Sequence, residues 1–196
     1  MRIYARDLEE ASKKLFKPGS FVDFNQVLGL AMGNIENLVK CKSCGSEFRA
    51  TKKWIQSPKV WGISIVWDPM RCGFARNLLL CLNEFLYSRG VFYAEDHQAL
   101  MEKYIFRGMI CFHYSHYSAF IYEVEENAWY QVDDNVIKKM KSFKSMLNLI
   151  MNNNSLPVLL LYEHFNEHYQ NVYKKKDDLK LESSFDAREC FNCQLL

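Results

Sequence analysis

The sequence has no long apolar run and no excess of charge. No window approaches the roughly 18 consecutive apolar residues of a membrane span. The start, MRIYARDLEE, lacks the apolar segment of a secretory signal. The chain carries 25 basic and 23 acidic side chains, which leave a formal charge of only +2. These absences argue against a membrane protein, a secreted protein and a protein whose main partner is nucleic acid.

The cysteine content also limits the class of protein. Seven cysteines are an odd number, which is not typical of a disulfide framework. We therefore expect reduced thiols and a cytoplasmic or nuclear location. An apolar fraction of 49% over 196 residues is sufficient for one globular domain with a proper core.

Apolar periodicity predicts an α+β fold. A helix is expected at the start of the chain, with Ile3 and Leu8 on its buried side, and a second helix near Asp23. The β-branched and aromatic runs predict a mostly antiparallel sheet in the C-terminal half. The predicted helices farther along cover 76–87 and 142–151, and the predicted strands cover 48–56, 60–67, 105–112, 117–124, 128–132 and 158–162. We predict a domain over 1–165 and a polar tail over 166–196.

The stretch HYSHYSAFIYEVEENAWYQVDD, residues 113–134, contains the most informative pattern. His116 opens one predicted strand, and the short polar turn 125–127 returns the chain as an antiparallel hairpin that ends at Asp133. A carboxylate there can accept from one imidazole nitrogen, fix the tautomer and raise the basicity of the other nitrogen. Asp134 is a reserve carboxylate or a turn cap. The alternative is a surface histidine beside an ordinary Asp-Asp-Asn turn.

The ordered set of motifs in this half of the chain resembles the C-terminal part of the ubiquitin-specific protease catalytic domain. In that family, a His-Tyr pair opens a strand, followed by a hairpin, a Trp-Tyr pair, a paired acidic motif and a Pro-led apolar strand. The resemblance covers about 21–165 and is nearest to the divergent branch of the family, which includes inactive members. The corresponding residues here are His116-Tyr117, Trp129-Tyr130, Asp133-Asp134 and 157–162.

The resemblance implies a papain-like cysteine protease fold, of which this chain has the palm and part of the fingers. It implies that His116 is the general base, that Asp133 orients it and that Tyr117 lines the channel for the C-terminal tail of ubiquitin. The expected partners are ubiquitin or ubiquitinated proteins. The sequence departs from the family at Ser115, where glycine is common before the histidine, and in the short preceding loop.

The nucleophile of such a protease is missing from this sequence. The family carries it in a Gly-Asn-Thr-Cys-type box, and these 196 residues contain no such box. Cys72 precedes a predicted helix and is a candidate substitute, although its place in the pattern favours a structural or free thiol. Cys81 and Cys111 lie in apolar segments and are expected in the core. The chain as given is therefore expected to be inactive, and the alternative function is a non-catalytic ubiquitin- or protein-binding module.

Two further cysteine motifs suggest modification or metal binding. Cys41 and Cys44, followed by Gly45, have the spacing of two zinc ligands in a knuckle, which amounts to half a site. A decayed turn without zinc is the alternative, and completion of the site by Cys190 and Cys193 is a remote one. The ending Cys-Gln-Leu-Leu also fits a prenylation motif at Cys193, with chance as the competing explanation.

The lysines at 138, 139, 141 and 144 predict a solvated face rather than a phosphate-binding patch.

Overall fold

A computed structural model of the chain describes residues 1–16, 22–33, 38–49, 57–89, 91 and 102–165. The helices are α1 (Ala5–Leu15), α2 (Phe24–Gly33), α3 (Ala75–Cys81) and α4 (Phe143–Asn152), and a short 3-10 helix covers Pro69–Phe74. The strands are β1 (Arg2–Tyr4), β2 (Leu38–Lys40), β3 (Glu47–Arg49), β4 (Val60–Val66), β5 (Phe85–Tyr87), β6 (Lys103–His113), β7 (His116–Glu123), β8 (Ala128–Asp133), β9 (Val136–Met140) and β10 (Leu156–His164).

The main sheet has eight strands in the described residues. Its order is β1-β4-β10-β6-β7-β8-β9, and β5 pairs with the start of β6. Only the β1–β4 pair is parallel, and the other pairs of this sheet are antiparallel. A separate two-stranded sheet joins β2 and β3. The predicted α+β class with a mostly antiparallel sheet in the C-terminal half is confirmed.

The two faces of the sheet differ in burial. On one face, Phe106, Phe120 and Trp129 are almost fully buried. Helix α4 covers part of this face, since the Phe143 ring lies 5.5 Å from that of Phe106 and 5.6 Å from that of Trp129. The opposite face, which we call the open face, keeps several apolar side chains partly or largely exposed. They include Ile110, Tyr117, Ile121, Val132 and Ile137.

Reciprocal hydrogen bonds fix the start of α4. The hydroxyl of Ser142 accepts from the backbone N–H of Ser145 at 3.1 Å, and the hydroxyl of Ser145 accepts from the backbone N–H of Ser142 at 2.9 Å. These bonds satisfy donors that the first helical turn would otherwise leave unpaired, a contribution of about 1 kcal/mol. The helix predicted over 142–151 is confirmed.

Two local predictions differ from the structure, and some strands were not predicted. Ile3 is buried in a short strand, and the first helix begins two residues later, at Ala5. The helix predicted over 76–87 ends at Cys81, and Phe85–Tyr87 is a strand. Strands β2 and β9 were not predicted. Most of the strand predicted over 48–56 lies outside the described residues.

None of the helices among the described residues is long and apolar enough to cross a membrane. The chain from Met1 to Phe165 forms one compact unit. The predicted tail over 166–196, with Cys190 and Cys193, lies outside the described residues, and the predicted domain boundary stays a prediction.

Candidate active site

A tight hairpin between β6 and β7 presents His116. His113 pairs with His116, and the two residues between them, Tyr114 and Ser115, have φ of 44° and 65°. Two successive positive φ values define the type I′ geometry that matches the right-handed twist of paired strands. The hairpin therefore places His116 at the first position of β7, at the end of the sheet.

The register of β7 and β8 brings Asp133 to the same end and the same face. Phe120 pairs with Gln131, and Ala119 pairs with Val132. Because side chains alternate along a strand, His116 shares a face with Phe120, and Asp133 shares it with Gln131. The Nε2 atom of His116 is hydrogen-bonded to Oδ1 of Asp133. The structure thus brings together the two side chains that the sequence pattern pairs.

Asp134 adds a second carboxylate beside this pair. It occupies the turn between β8 and β9 with φ of 49°, a conformation that aspartate tolerates better than most residues. One polar side-chain atom from each of His116, Asp133 and Asp134 lies within 4.8 Å of the other two. The backbone turn therefore directs two negative charges toward one imidazole.

These contacts raise the pKa of His116 above its ordinary value. The hydrogen bond that the protonated imidazole donates to Asp133 is the largest cause, and the charges of Asp133 and Asp134 act in the same direction. The His116 side chain is 44% exposed and that of Asp133 is 37% exposed. Because water screens the pair, it adds little to the free energy of unfolding. The arrangement yields a more basic imidazole that is held in one orientation.

Tyr117 lies next to the histidine on the opposite face of β7. Its side chain is 60% exposed, and its ring packs against that of Phe112 at 5.0 Å. The ring is therefore available to a ligand that approaches the end of the sheet from the open face. Its role as a channel wall stays a prediction.

Three of the five described cysteines lie on the sheet or in the helical layer. Burial raises the pKa of Cys81 to about 11 and that of Cys111 to about 12, so both stay protonated at neutral pH. Cys72 is exposed in the 3-10 helix that follows β4. Two strands, β10 and β6, separate β4 from β7, which is a distance of about 14 Å at the usual spacing. None of these thiols pairs with His116.

Cys41 and Cys44 lie in the turn that joins β2 to β3. The N–H of Gly45 donates to the carbonyl of Cys41 at 2.8 Å, and Gly45 has φ of 73°. Hydrogen bonds from Ser46, and then from Cys41, lower the pKa of Cys44, which favours the thiolate that binds metals. The zinc half site at Cys41 and Cys44 stays a prediction. Among the described residues, no third histidine, cysteine or carboxylate lies close enough to form a ligand group with them.

The sequence pattern did not reveal the conformation of Tyr114 and Ser115. Neither residue type signals positive φ, since glycine, asparagine and aspartate are the usual markers. The short separation of the two histidines was the available signal, because only a two-residue turn can join paired strands over that distance.

Comparison with known proteins supports the resemblance. Human ubiquitin carboxyl-terminal hydrolase 53 is 27% identical over 150 residues, which are 75% of this chain and 14% of that protein. Mouse ubiquitin carboxyl-terminal hydrolase 54 is 28% identical over 134 residues, which are 67% of this chain and 8% of that protein. This chain therefore spans a small part of these relatives. No protein-family profile matches it.

A solved structure shows the same fold. The PAN2 pseudoubiquitin-hydrolase of Saccharomyces cerevisiae superposes with a TM-score of 0.50 at 12% identity, over 84% of this chain and 49% of that one. The resemblance to the ubiquitin-specific protease family is thus confirmed in sequence, and the predicted fold class is confirmed in structure.

Proposed function

We propose that this chain supplies the general base and its orienting acid in a site of the ubiquitin-specific protease type. The observation that carries the proposal is the His116–Asp133 hydrogen bond at the end of an open hairpin. One imidazole nitrogen is engaged by the carboxylate, which leaves the other for a thiol or for a substrate. The ubiquitin carboxyl-terminal hydrolase names of the relatives support ubiquitin as the ligand.

The 196-residue chain by itself holds the C-terminal tail of ubiquitin without cleaving it. Cysteine-dependent hydrolysis needs a thiolate next to the imidazole, and no described cysteine lies there. Asp133 engages one nitrogen of His116, and the other nitrogen stays available for a hydrogen bond with a peptide group of the ubiquitin tail.

The decisive experiment separates binding from hydrolysis. Ubiquitin is titrated into isotope-labelled chain, and the His116 and Tyr117 resonances are followed by NMR. We expect these resonances to shift with intact ubiquitin and to stay unchanged with ubiquitin truncated before its C-terminal tail. Parallel incubation with a fluorogenic ubiquitin substrate is expected to give no turnover.

Two results would contradict the proposal. Turnover that is lost in Cys72→Ala would mean that the chain is an enzyme with an unexpected nucleophile. Equal shifts with intact and truncated ubiquitin, centred away from His116, would favour a module that binds the body of ubiquitin through another surface.

A further inference from the structure

Strand β9 forms one edge of the main sheet. Within the residues that the structure describes, it pairs with β8 and with no other strand. The pairing is regular over the five residues from Val136 to Met140, with no shift in register. An edge strand of this kind presents unpaired backbone groups to any extended chain beside it.

The register shows which backbone groups point outward. Asp133 and Val136 flank a two-residue turn, so they exchange hydrogen bonds with each other. The alternation then directs the backbone groups of Lys138 and Met140 toward β8. Those of Ile137 and Lys139 point away from the sheet, and they are the groups that an added strand would bind.

Both faces of β9 carry exposed side chains. Ile137 is 69% exposed on the open face of the sheet, where its pairing partner Val132 also lies. Lys138 projects to the other side and is exposed. Lys139 shares the open face with Ile137, and Val136 shares the other face with Lys138. A strand laid along β9 would therefore meet an exposed apolar side chain and a lysine on each face.

The charge of this edge favours an acidic partner. Lys138, Lys139 and Lys141 are all exposed. Lys139 contacts Glu126 at 2.7 Å, which neutralises it in part. Among the described residues, neither Lys138 nor Lys141 has an ion-pair partner. A second copy of this chain is a poor occupant, because antiparallel pairing of β9 with itself would bring these lysines together.

Lysines on an edge strand also protect it from aggregation. A bulge or a proline would also block the addition of a strand, and β9 has neither. Val136, at 64% exposure, adds a second accessible apolar side chain to the edge.

We propose that β9 is a docking site for an extended, acidic segment of another protein, which adds to the sheet as a further strand. The partner segment alternates acidic and apolar residues, with the apolar ones beside Ile137 and the acidic ones beside Lys138. This site uses neither the His116 nor the Asp133 side chain, so it stands even if that pair proves to have no role.

The test uses the full chain and a fluorescein-labelled, end-blocked peptide in which glutamate alternates with valine. Fluorescence anisotropy should show saturable binding that weakens with added salt.

The variants separate the backbone contribution from the charge contribution. Ile137→Pro removes an outward N–H without touching the pairing with β8, and we expect binding to weaken at least about tenfold. Lys138→Glu with Lys141→Glu should give a similar loss. Lys42→Glu, an exposed lysine in another turn, is the matched control and should bind like the unchanged chain.

Thermal unfolding and amide NMR spectra show whether each variant is folded, and the charge variants keep the test decisive if Ile137→Pro does not fold. Equal binding of a peptide with lysine in place of glutamate would overturn the proposal, as would the absence of saturable binding. Binding of a single-stranded RNA that depends on Lys138 and Lys141 but survives Ile137→Pro, without peptide binding, would identify a phosphate-binding face instead.

Discussion

At the scale of single residues, the site depends on one hydrogen bond between exposed side chains. His116 and Asp133 both contact solvent, so their pairing contributes little to the free energy of unfolding. Its main effect is on the proton affinity of the imidazole, which the nearby carboxylates increase. The pair is therefore better suited to chemistry or recognition than to holding the fold together.

The first prediction concerns this proton affinity. Asp133→Asn should lower the pKa of His116 toward the value of about 6.5 for an isolated imidazole. Asp134→Asn should lower it less, because Asp134 acts only through its charge. The measurement is a ¹H–¹³C NMR titration of the histidine ring. An unchanged pKa in Asp133→Asn would mean that the hydrogen bond does not form in solution.

The sign of the associated stability effect follows from linkage. Because the folded-state pKa is raised, the protonated histidine stabilises the fold. This contribution is fully present below the unfolded pKa and is lost as the pH rises through the folded pKa. The stability of the unchanged chain relative to Asp133→Asn should therefore fall between these two pKa values.

The turn before His116 gives the second prediction. Ser115 has φ of 65°, a region that costs an L-residue about 1–2 kcal/mol. Ser115→Gly should raise the free energy of unfolding by up to about 1 kcal/mol, since the added flexibility of the unfolded chain offsets part of the gain. Urea denaturation measures it. Ser118→Gly, an extended position in β7, is the control and should destabilise the chain.

At the scale of elements, the close approach of β6 and β7 determines where His116 lies. A Cβ atom added at Gly108 would lie 2.5 Å from the carbonyl oxygen of Phe120, which is too short for any real contact. A Cβ at Gly62, in β4 of the same sheet, would meet only the Leu159 and Leu161 side chains, at 3.7 and 3.8 Å. The close approach of β6 and β7 therefore requires glycine at position 108, whereas the space around Gly62 can accept a Cβ atom.

The third prediction uses this contrast. Gly108→Ala must separate the two strands and should cost about 1–3 kcal/mol, with shifts in the His116 resonances. Gly62→Ala should leave the melting temperature nearly unchanged. Thermal denaturation of both variants decides the matter, and equal melting temperatures would show that the strands pack more loosely than the structure indicates.

The sequence predicted best those elements in which the alternation of residues along the strand matches the alternation of buried and exposed side chains. The β7–β8 hairpin shows it, since Phe120 and Tyr122 are buried while Tyr117 and Ile121 are exposed. This same alternation allowed His116 and Asp133 to be paired correctly.

Other elements depend on partners that the local pattern does not show. Phe85–Tyr87 continues a helical apolar spacing, yet pairing with Lys103–Ile105 makes it a strand. Strand β9 has four exposed residues out of five, so it carries no alternating signal, and only its pairing with β8 defines it. The network of Tyr130, Glu126 and Lys139 across this pair was equally invisible in the sequence.

At the scale of the whole molecule, the two sheets of the fold differ in what stabilises them. The main sheet contains its own core, with Tyr162, Phe106 and Tyr104 fully buried among strands and helices. The small sheet of β2 and β3 has only three residues in each strand. A two-stranded ribbon of this length is marginal by itself in water, so it needs a further stabilising contact or a metal ion.

The last prediction follows from this difference. If Cys41 and Cys44 are two ligands of a tetrahedral zinc site, four ligands are needed and one turn supplies half of them. Purified chain titrated with zinc should therefore bind no more than one ion for every two chains, with dimers in native mass spectrometry. Cys41→Ser with Cys44→Ser should abolish this binding, whereas Cys190→Ser with Cys193→Ser should not.

One tightly held zinc per monomer would contradict the half site. Its loss in the Cys190 and Cys193 variant would then identify those two residues as the missing ligands, and its retention would require ligands from elsewhere in the chain.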